Sequence, residues 1–161
     1  MTNYRSKIKY KYVGIDPGKS GGIACIDEDG EMKAYKCPDS SEDMAILFEV
    51  IIGDTPPSNI RLLMERVWAR PTNAVRAAFS YGTHYGQWLG IAASHEVKTY
   101  TELPNNWMKW FGCPKGMISR DRKNWLKDKA KELYPNIKKI TLATADAILI
   151  AHYAREEYFN E

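Results

Sequence analysis

The stretch VGIDPGKSGGIACID (residues 13–27) decides how this 161-residue chain is read. Two uses compete for it. Its Gly18-Lys19-Ser20 portion evokes a phosphate-cradling loop. Such a loop needs G-x-x-x-x-G-K-[ST] between a strand and a helix, so that backbone N–H groups and the helix dipole face the phosphates. Only three residues separate Gly14 from Gly18, one too few, and the following GGIACID alternates like a strand. No nucleotide cofactor is therefore expected. Asp16 carries the other use: it ends an apolar strand just before a turn, where a carboxylate is rigidly held yet open to solvent. An Asx hydrogen bond within the turn is the bland use of the same side chain. Gly18, Gly21 and Gly22 leave the neighbouring backbone without side-chain bulk, room for the backbone of a large ligand.

Working outward, YKYVGID (10–16) predicts a first strand, GGIACID (21–27) a second and EMKAYKC (31–37) a third, with Glu28-Asp29-Gly30 as a hairpin turn. Ser40 or Ser41 caps a helix to about Gly53, and IRLLMERV (60–67) is a buried fourth strand. Residues 72–94 repeat apolar side chains at three- and four-residue steps, and 95–99 form a short fifth strand. Loop and a helix over 119–134 follow, then a final helix over 144–158. Hairpin-linked strands followed by alternating helix and strand make a mixed α/β sheet. One domain over residues 10–161 accounts for the length, with residues 1–9 as a basic arm or tail.

Two further acids stand out. Glu65 ends a strand that is apolar on both faces, and Asp146 lies in ATADAILIAHYA, a helix of small and apolar residues. Charges there are costly unless partnered. A divalent cation that gathers Asp16, Glu65 and Asp146 explains all three, and oxygen ligands with few His or Cys point to Mg²⁺, with Mn²⁺ able to substitute. Charge is also segregated. Residues 13–97 hold twelve acidic and seven basic side chains, and residues 98–139 hold eleven basic and four acidic. An acidic half with metal ligands followed by a basic segment suits a partner made of phosphates, while a solvated helix face explains the charge run equally well. No apolar run reaches membrane-spanning length. Cys25, Cys37 and Cys113 are odd in number and scattered, which argues against a disulfide framework and for a reducing, cytoplasmic setting.

In order and spacing, VGIDPGKSGGIACID, the Glu65 of MERV, YGTHYGQWLGIAA (81–93), LPNNWMKWFG (103–112) and TADAILIA (144–151) resemble the RuvC-type Holliday junction resolvases. The pattern is more similar to the small phage-encoded and chloroplast members than to the typical bacterial enzyme. The resemblance implies an RNase H-like α/β fold, a five-stranded mixed sheet of three antiparallel strands then two parallel ones, flanked by helices. It implies a Mg²⁺-dependent endonuclease that resolves four-way, branched DNA by paired symmetric nicks, with Asp16, Glu65 and Asp146 as catalytic metal ligands. It also implies a homodimer formed through the helix of 72–94, although its Tyr81, Tyr85 and Trp88 fit core positions equally well. Trp68 matches an aromatic residue that stacks on unpaired bases, worth about 1–3 kcal/mol per base, or else packs at a strand end. Lys109 and Lys123 match basic DNA contacts. Lys115, Arg120, Arg122 and Lys127 would add phosphate contacts, and Lys19 would touch the scissile phosphate or stay solvated.

The chain departs from that pattern at Ala143, where such resolvases usually carry a fourth ligand, Asp or His, one helical turn before the last acid. His152, six residues beyond Asp146, lies on another helix face and reads as a packing or surface histidine. The gap keeps two alternatives open: a branched-DNA-binding protein with weakened or lost cleavage, and an RNase H-like nuclease acting on RNA.

Overall fold

Side chains that alternate between two faces build the centre of the molecule. In the computed structural model, which describes residues 7–160, β1 (Lys11–Asp16) sends Val13 and Ile15 to one side of the sheet. Tyr12 goes to the other, and Gly14 and Asp16 share that second face by the period of two. β1 pairs antiparallel with β2 (Gly22–Ile26), which pairs antiparallel with β3 (Met32–Lys36). On its other edge β1 pairs parallel with β4 (Ile60–Glu65), and β4 pairs parallel with β5 (Thr99–Glu102). The order β3-β2-β1-β4-β5 is the expected mixed sheet.

Helices cover both faces. α1 (Ser41–Ile52) and α2 (Val75–Ser94) pack on one side, over Val13, Ile15, Ile23, Leu62 and Met64. Ser40 caps α1, its hydroxyl accepting from the Asp43 N–H at 3.1 Å. The opposite side is covered by α5 (Leu142–Tyr153), with α3 (Pro104–Trp110) and α4 (Ser119–Leu133) outside it. α5 lies between sheet and helices, which explains why its sequence is apolar all round. Gly14 makes that layer possible: a Cβ there would stand 2.4 Å from the Ala151 nitrogen and 2.6 Å from the Ala147 carbonyl oxygen.

Several boundaries move. β5 begins at Thr99 rather than running over 95–99, because α2 persists to Ser94 and closes through Glu96 in the left-handed conformation (φ 58°). α2 starts at Val75, after a turn at 71–73, not at 72. The basic segment contains a helix, α3, that its composition conceals, with Pro104 at its first turn. The last helix starts at Leu142 behind a Thr141–Thr144 capping box and ends in one π-helical turn, Ala154–Tyr158. The basic arm falls partly outside the described residues. Lys11, next to it, is structural: its buried Nζ donates to the Ile51 and Ile52 carbonyls at 2.9 and 3.2 Å, capping the C-terminus of α1. No described helix is long and apolar enough to cross a membrane.

Candidate active site

The period of two that buries Tyr12 and Leu63 under α5 also aims Asp16 and Glu65 at that helix. Ile15 pairs with Met64, so these acids follow one another at the C-terminal ends of adjacent parallel strands. β1 is also where the sheet changes from antiparallel to parallel, and open α/β sheets bind ligands at such strand ends. Asp146, one turn into α5, supplies the third carboxylate.

The three half-buried acids crowd one another. Burial first, then the charges of Glu65 and Asp146, hold the Asp16 carboxyl well above the usual carboxylate range, against a lowering effect of Lys123. Burial and the charge of Asp146 push Glu65 up to about 7, although Trp107 and Arg122 favour its anion. Burial pushes Asp146 up to about 6, opposed by Lys123 and Arg122. The Trp107 Nε1–H donates to Glu65 Oε2 at 2.9 Å, fixing one carboxylate oxygen from α3. Among the described residues no ion pair within contact distance neutralises any of the three. Unneutralised oxygen donors held together at a cost fit a hard divalent cation. As placed, they do not close into a coordination set: among the described residues, no three His, Cys, Asp or Glu side chains are grouped to hold an ion.

The turn after Asp16 is tightly made. Gly18 has φ 120°, and the Gly21 N–H closes the turn on the Gly18 carbonyl at 3.0 Å. The β2 strand after Ser20 leaves no helix for a nucleotide loop. The glycines answer a different need from the clearance expected of them. A Cβ on Gly21 would stand 2.0 Å from the Asp16 carbonyl oxygen, and one on Gly22 2.4 Å from that of Ala143. Both positions are filled by the protein's own backbone. Gly18 lies under the Tyr81 ring.

The cationic candidates divide into two groups. Lys123 and Arg122, on α4, face the carboxylates closely enough to lower their pKa values. Lys19, on the Asp16 turn, is exposed. Lys109 on α3, Lys115 before α4 and Arg120 on α4 are also exposed, and Lys127 is half-buried; no contact joins these four to the carboxylates. Trp68 stands in the loop after β4, 48% exposed, with the Arg70 guanidinium 5.4 Å from its ring centre. His152 packs against Trp110, Phe111 and Tyr134, its Nδ1 bonded to the Tyr134 hydroxyl at 2.7 Å. Ala143 brings no side-chain donor, and Glu102, beside Glu65 on β5, does not replace it. Its carboxylate already accepts from the Leu103 N–H, Asn106 and Tyr153.

Sequence reasoning missed Trp107, His84 and Cys37. Trp107 reaches Glu65 as described. His84 accepts from the Gly18 N–H, and Cys37 Sγ lies 3.6 Å from the Asp16 carbonyl oxygen as its donor.

A mixed sheet in this order, helices on both faces and paired acids at the C-terminal ends of its central strands define an RNase H-like α/β fold of the RuvC type. Two solved structures carry the particular likeness. Thermus thermophilus RuvC in complex with a Holliday junction substrate superposes with a TM-score of 0.59 at 16% identity, over 91% of this chain and 96% of that one. The structure of Thermus thermophilus RuvC gives 0.52 at 17% identity over the same shares. No protein-family model and no curated protein matches the sequence.

Proposed function

We propose that the chain is a Mg²⁺-dependent, structure-selective endonuclease that resolves four-way DNA junctions by paired, symmetric nicks, acting as a homodimer. One observation carries this reading: half-buried acids from β1, β4 and α5 lie near enough at the sheet's strand ends for the charge of Asp146 to raise the other two, with Lys123 and Arg122 facing them. The shared fold with a RuvC whose structure holds a Holliday junction substrate supports the choice of DNA.

Asp16, Glu65 and Asp146 are the residues that would hold the ion, Mg²⁺ or Mn²⁺. When bound, the ion supplies Lewis acidity toward water and charge for the phosphate oxygens. Sites for Mg²⁺ are commonly completed by substrate phosphates, which accords with acids that are crowded yet not closed into a ligand set. Trp107 orients Glu65 through its hydrogen bond. Lys123 and Arg122 offset the charge that a phosphodiester brings to the acids. Lys19 reaches the strand beside Asp16, Trp68 stacks on an unpaired base, and Lys109, Lys115, Arg120 and Lys127 bind phosphates along the arms. Residues 10–161 form the single nuclease domain, and the free thiols suit a reducing cytoplasm.

The dimer reading rests on α2. Val75, Phe79, Gly82, Gly86, Leu89 and Ala93 recur at steps of four and three, a seam opposite the buried His84, Trp88 and Ala92. Val75 is 86% and Phe79 76% exposed, and a Cβ on Gly82 or Gly86 would meet open space. A second copy related by a two-fold axis would cover this seam and set two sites against a two-fold symmetric junction.

The test is cleavage of a synthetic four-way junction with and without Mg²⁺. Wild type should nick it only with the metal. Asp16→Asn should lower the rate by at least about 10²-fold while junction binding is kept. Absence of metal-dependent nicking on any branched substrate overturns the reading. Ala143 favours a second one, a junction binder with lost turnover. On that reading Ala143→Asp creates activity in an idle parent, and an active parent excludes it.

A further inference from the structure

We propose that His84 is a positioning residue for the Asp16 turn, its Nδ1 acting as the acceptor that fixes the Gly18 peptide. This rests on the nuclease reading above and names a residue beyond its metal ligands and DNA contacts.

The geometry is local and specific. His84 projects from the buried face of α2, and its Nδ1 accepts the Gly18 N–H at 2.9 Å across 66 residues of chain. Gly18 is itself buried, and in this turn its N–H has no backbone acceptor. Without the imidazole, a buried donor would stand unsatisfied two residues from Asp16. Cys37 Sγ lies on the Asp16 carbonyl oxygen, so the peptides on both sides of Pro17 are held.

An apolar side chain would fill the space under the turn more cheaply. His84 Nε2 and the neighbouring Trp88 Nε1 are buried with no well-formed hydrogen bond, the Pro38 carbonyl and Cys37 Sγ approaching them only weakly, and the two rings meet edge-on at 6.1 Å. A poorly bonded buried N–H is a cost. The compensating gain is the acceptor at Nδ1. Burial first, and then the charge of Lys19, keep the His84 pKa below its ordinary value, outweighing the Pro38 carbonyl and Asp39. Accepting the Gly18 N–H uses the lone pair at Nδ1, which places the ring proton on Nε2. Gly18 makes the clamp necessary because at φ 120° its conformation is one that only glycine adopts readily, and glycine does not hold it unaided.

Two substitutions separate the acceptor from the packing. Asn places Oδ1 where Nδ1 stands; Phe keeps the ring volume against Trp88 and removes the acceptor. In the metal-free protein, exchange of the Gly18 amide should be about tenfold or more faster in His84→Phe than in wild type, and slow again in His84→Asn. In junction cleavage at saturating DNA, His84→Phe should lose about 10²-fold in rate with the dissociation constant for the junction unchanged, and His84→Asn should recover most of it. If His84→Phe does not fold, His84→Gln takes its place, since its amide falls at the Nε2 position. Unchanged Gly18 exchange in a folded variant overturns the proposal. So does normal cleavage by a variant that has lost protection, or an Asn variant no better than Phe. A wild type that cuts no junction overturns the nuclease reading instead, and the exchange data then judge the clamp alone.

Discussion

Glu65 and Asp146 are acids that the fold makes costly to ionise, and the cost has a sign that can be measured. Burial raises their carboxyls to about 7 and about 6, and at Glu65 the charge of Asp146 adds to it. Between roughly pH 4 and pH 7 the folded protein therefore keeps protons that the unfolded chain has lost, so these groups make stability fall as pH rises through that window. Glu28, His84 and His152, all shifted downward, contribute with the opposite sign. The informative quantity is the difference between wild type and the Glu65→Gln, Asp146→Asn double variant. In EDTA the variant should gain on wild type from pH 5 to pH 8 by on the order of 1–3 kcal/mol, read from urea denaturation. A constant difference would mean that the acids are not crowded. Gly14→Ala should destabilise by about 2–3 kcal/mol in the same assay, because α5 leaves no space for the methyl. The three acids were legible in the sequence because each interrupts an apolar pattern. Trp107 and His84 were not, because an aromatic or a histidine on a helix reads as ordinary packing. Their partners lie 42 and 66 residues away, beyond any local periodicity.

At the scale of elements, α2 faces two ways. Its inner side carries His84 and Trp88 toward the Asp16 turn, and its outer side presents Val75, Phe79 and a glycine run. Glycine weakens a helix interior by about 1 kcal/mol relative to alanine, so Gly82, Gly86 and the neighbouring exposed Gly90 are poorly explained by helix stability. Close approach of a second helix explains them better. Phe79→Asp should convert a dimer into a monomer, raising the dissociation constant by at least about 100-fold in sedimentation equilibrium. Its thermal unfolding as a monomer should be unchanged, since Phe79 is already exposed in one chain. A wild type that stays monomeric at tens of micromolar would remove this role. The seam escaped a reading based on hydropathy because glycine contributes no apolar signal. The hairpin strands were legible through their turns: Gly30 at φ 86° and Asp27 Oδ1 accepting two backbone N–H groups are what the Glu28-Asp29-Gly30 signal encodes. β5 was misplaced because a non-glycine residue, Glu96, takes the left-handed position that usually announces itself as Gly or Asn.

Across the whole molecule, the acids at the strand ends and the cations of residues 98–139 belong to different layers. The carboxylates lie between sheet and α5, and α4 brings Arg122 and Lys123 to them from outside. This assigns two kinds of work to basic residues that look alike in sequence. On the proposed nuclease reading Lys123 and Arg122, whose charges reach the carboxylates, would act at the site of chemistry. Lys109, Lys115 and Arg120 are exposed and face no carboxylate of the cluster, so on the same reading their part would be the general attraction of phosphates. Each phosphate contact releases counterions, and the slope of log affinity against log salt is about −0.9 per contact. Replacing Lys109, Lys115 and Arg120 together by Gln should flatten the slope for junction binding by about 3. Because phosphate contacts carry no sequence or branch information by themselves, linear duplex should lose affinity in parallel with the four-way junction. The cleavage rate at saturating DNA should stay within about twofold of wild type, since none of the three touches the carboxylates. Lys123→Gln should show the reverse pattern, a slope change of at most about 1 with a large loss of rate at saturation. Equal losses of rate in both variants would mean that the basic face works as one unit, and an unchanged salt slope in the triple variant would place the DNA on another surface.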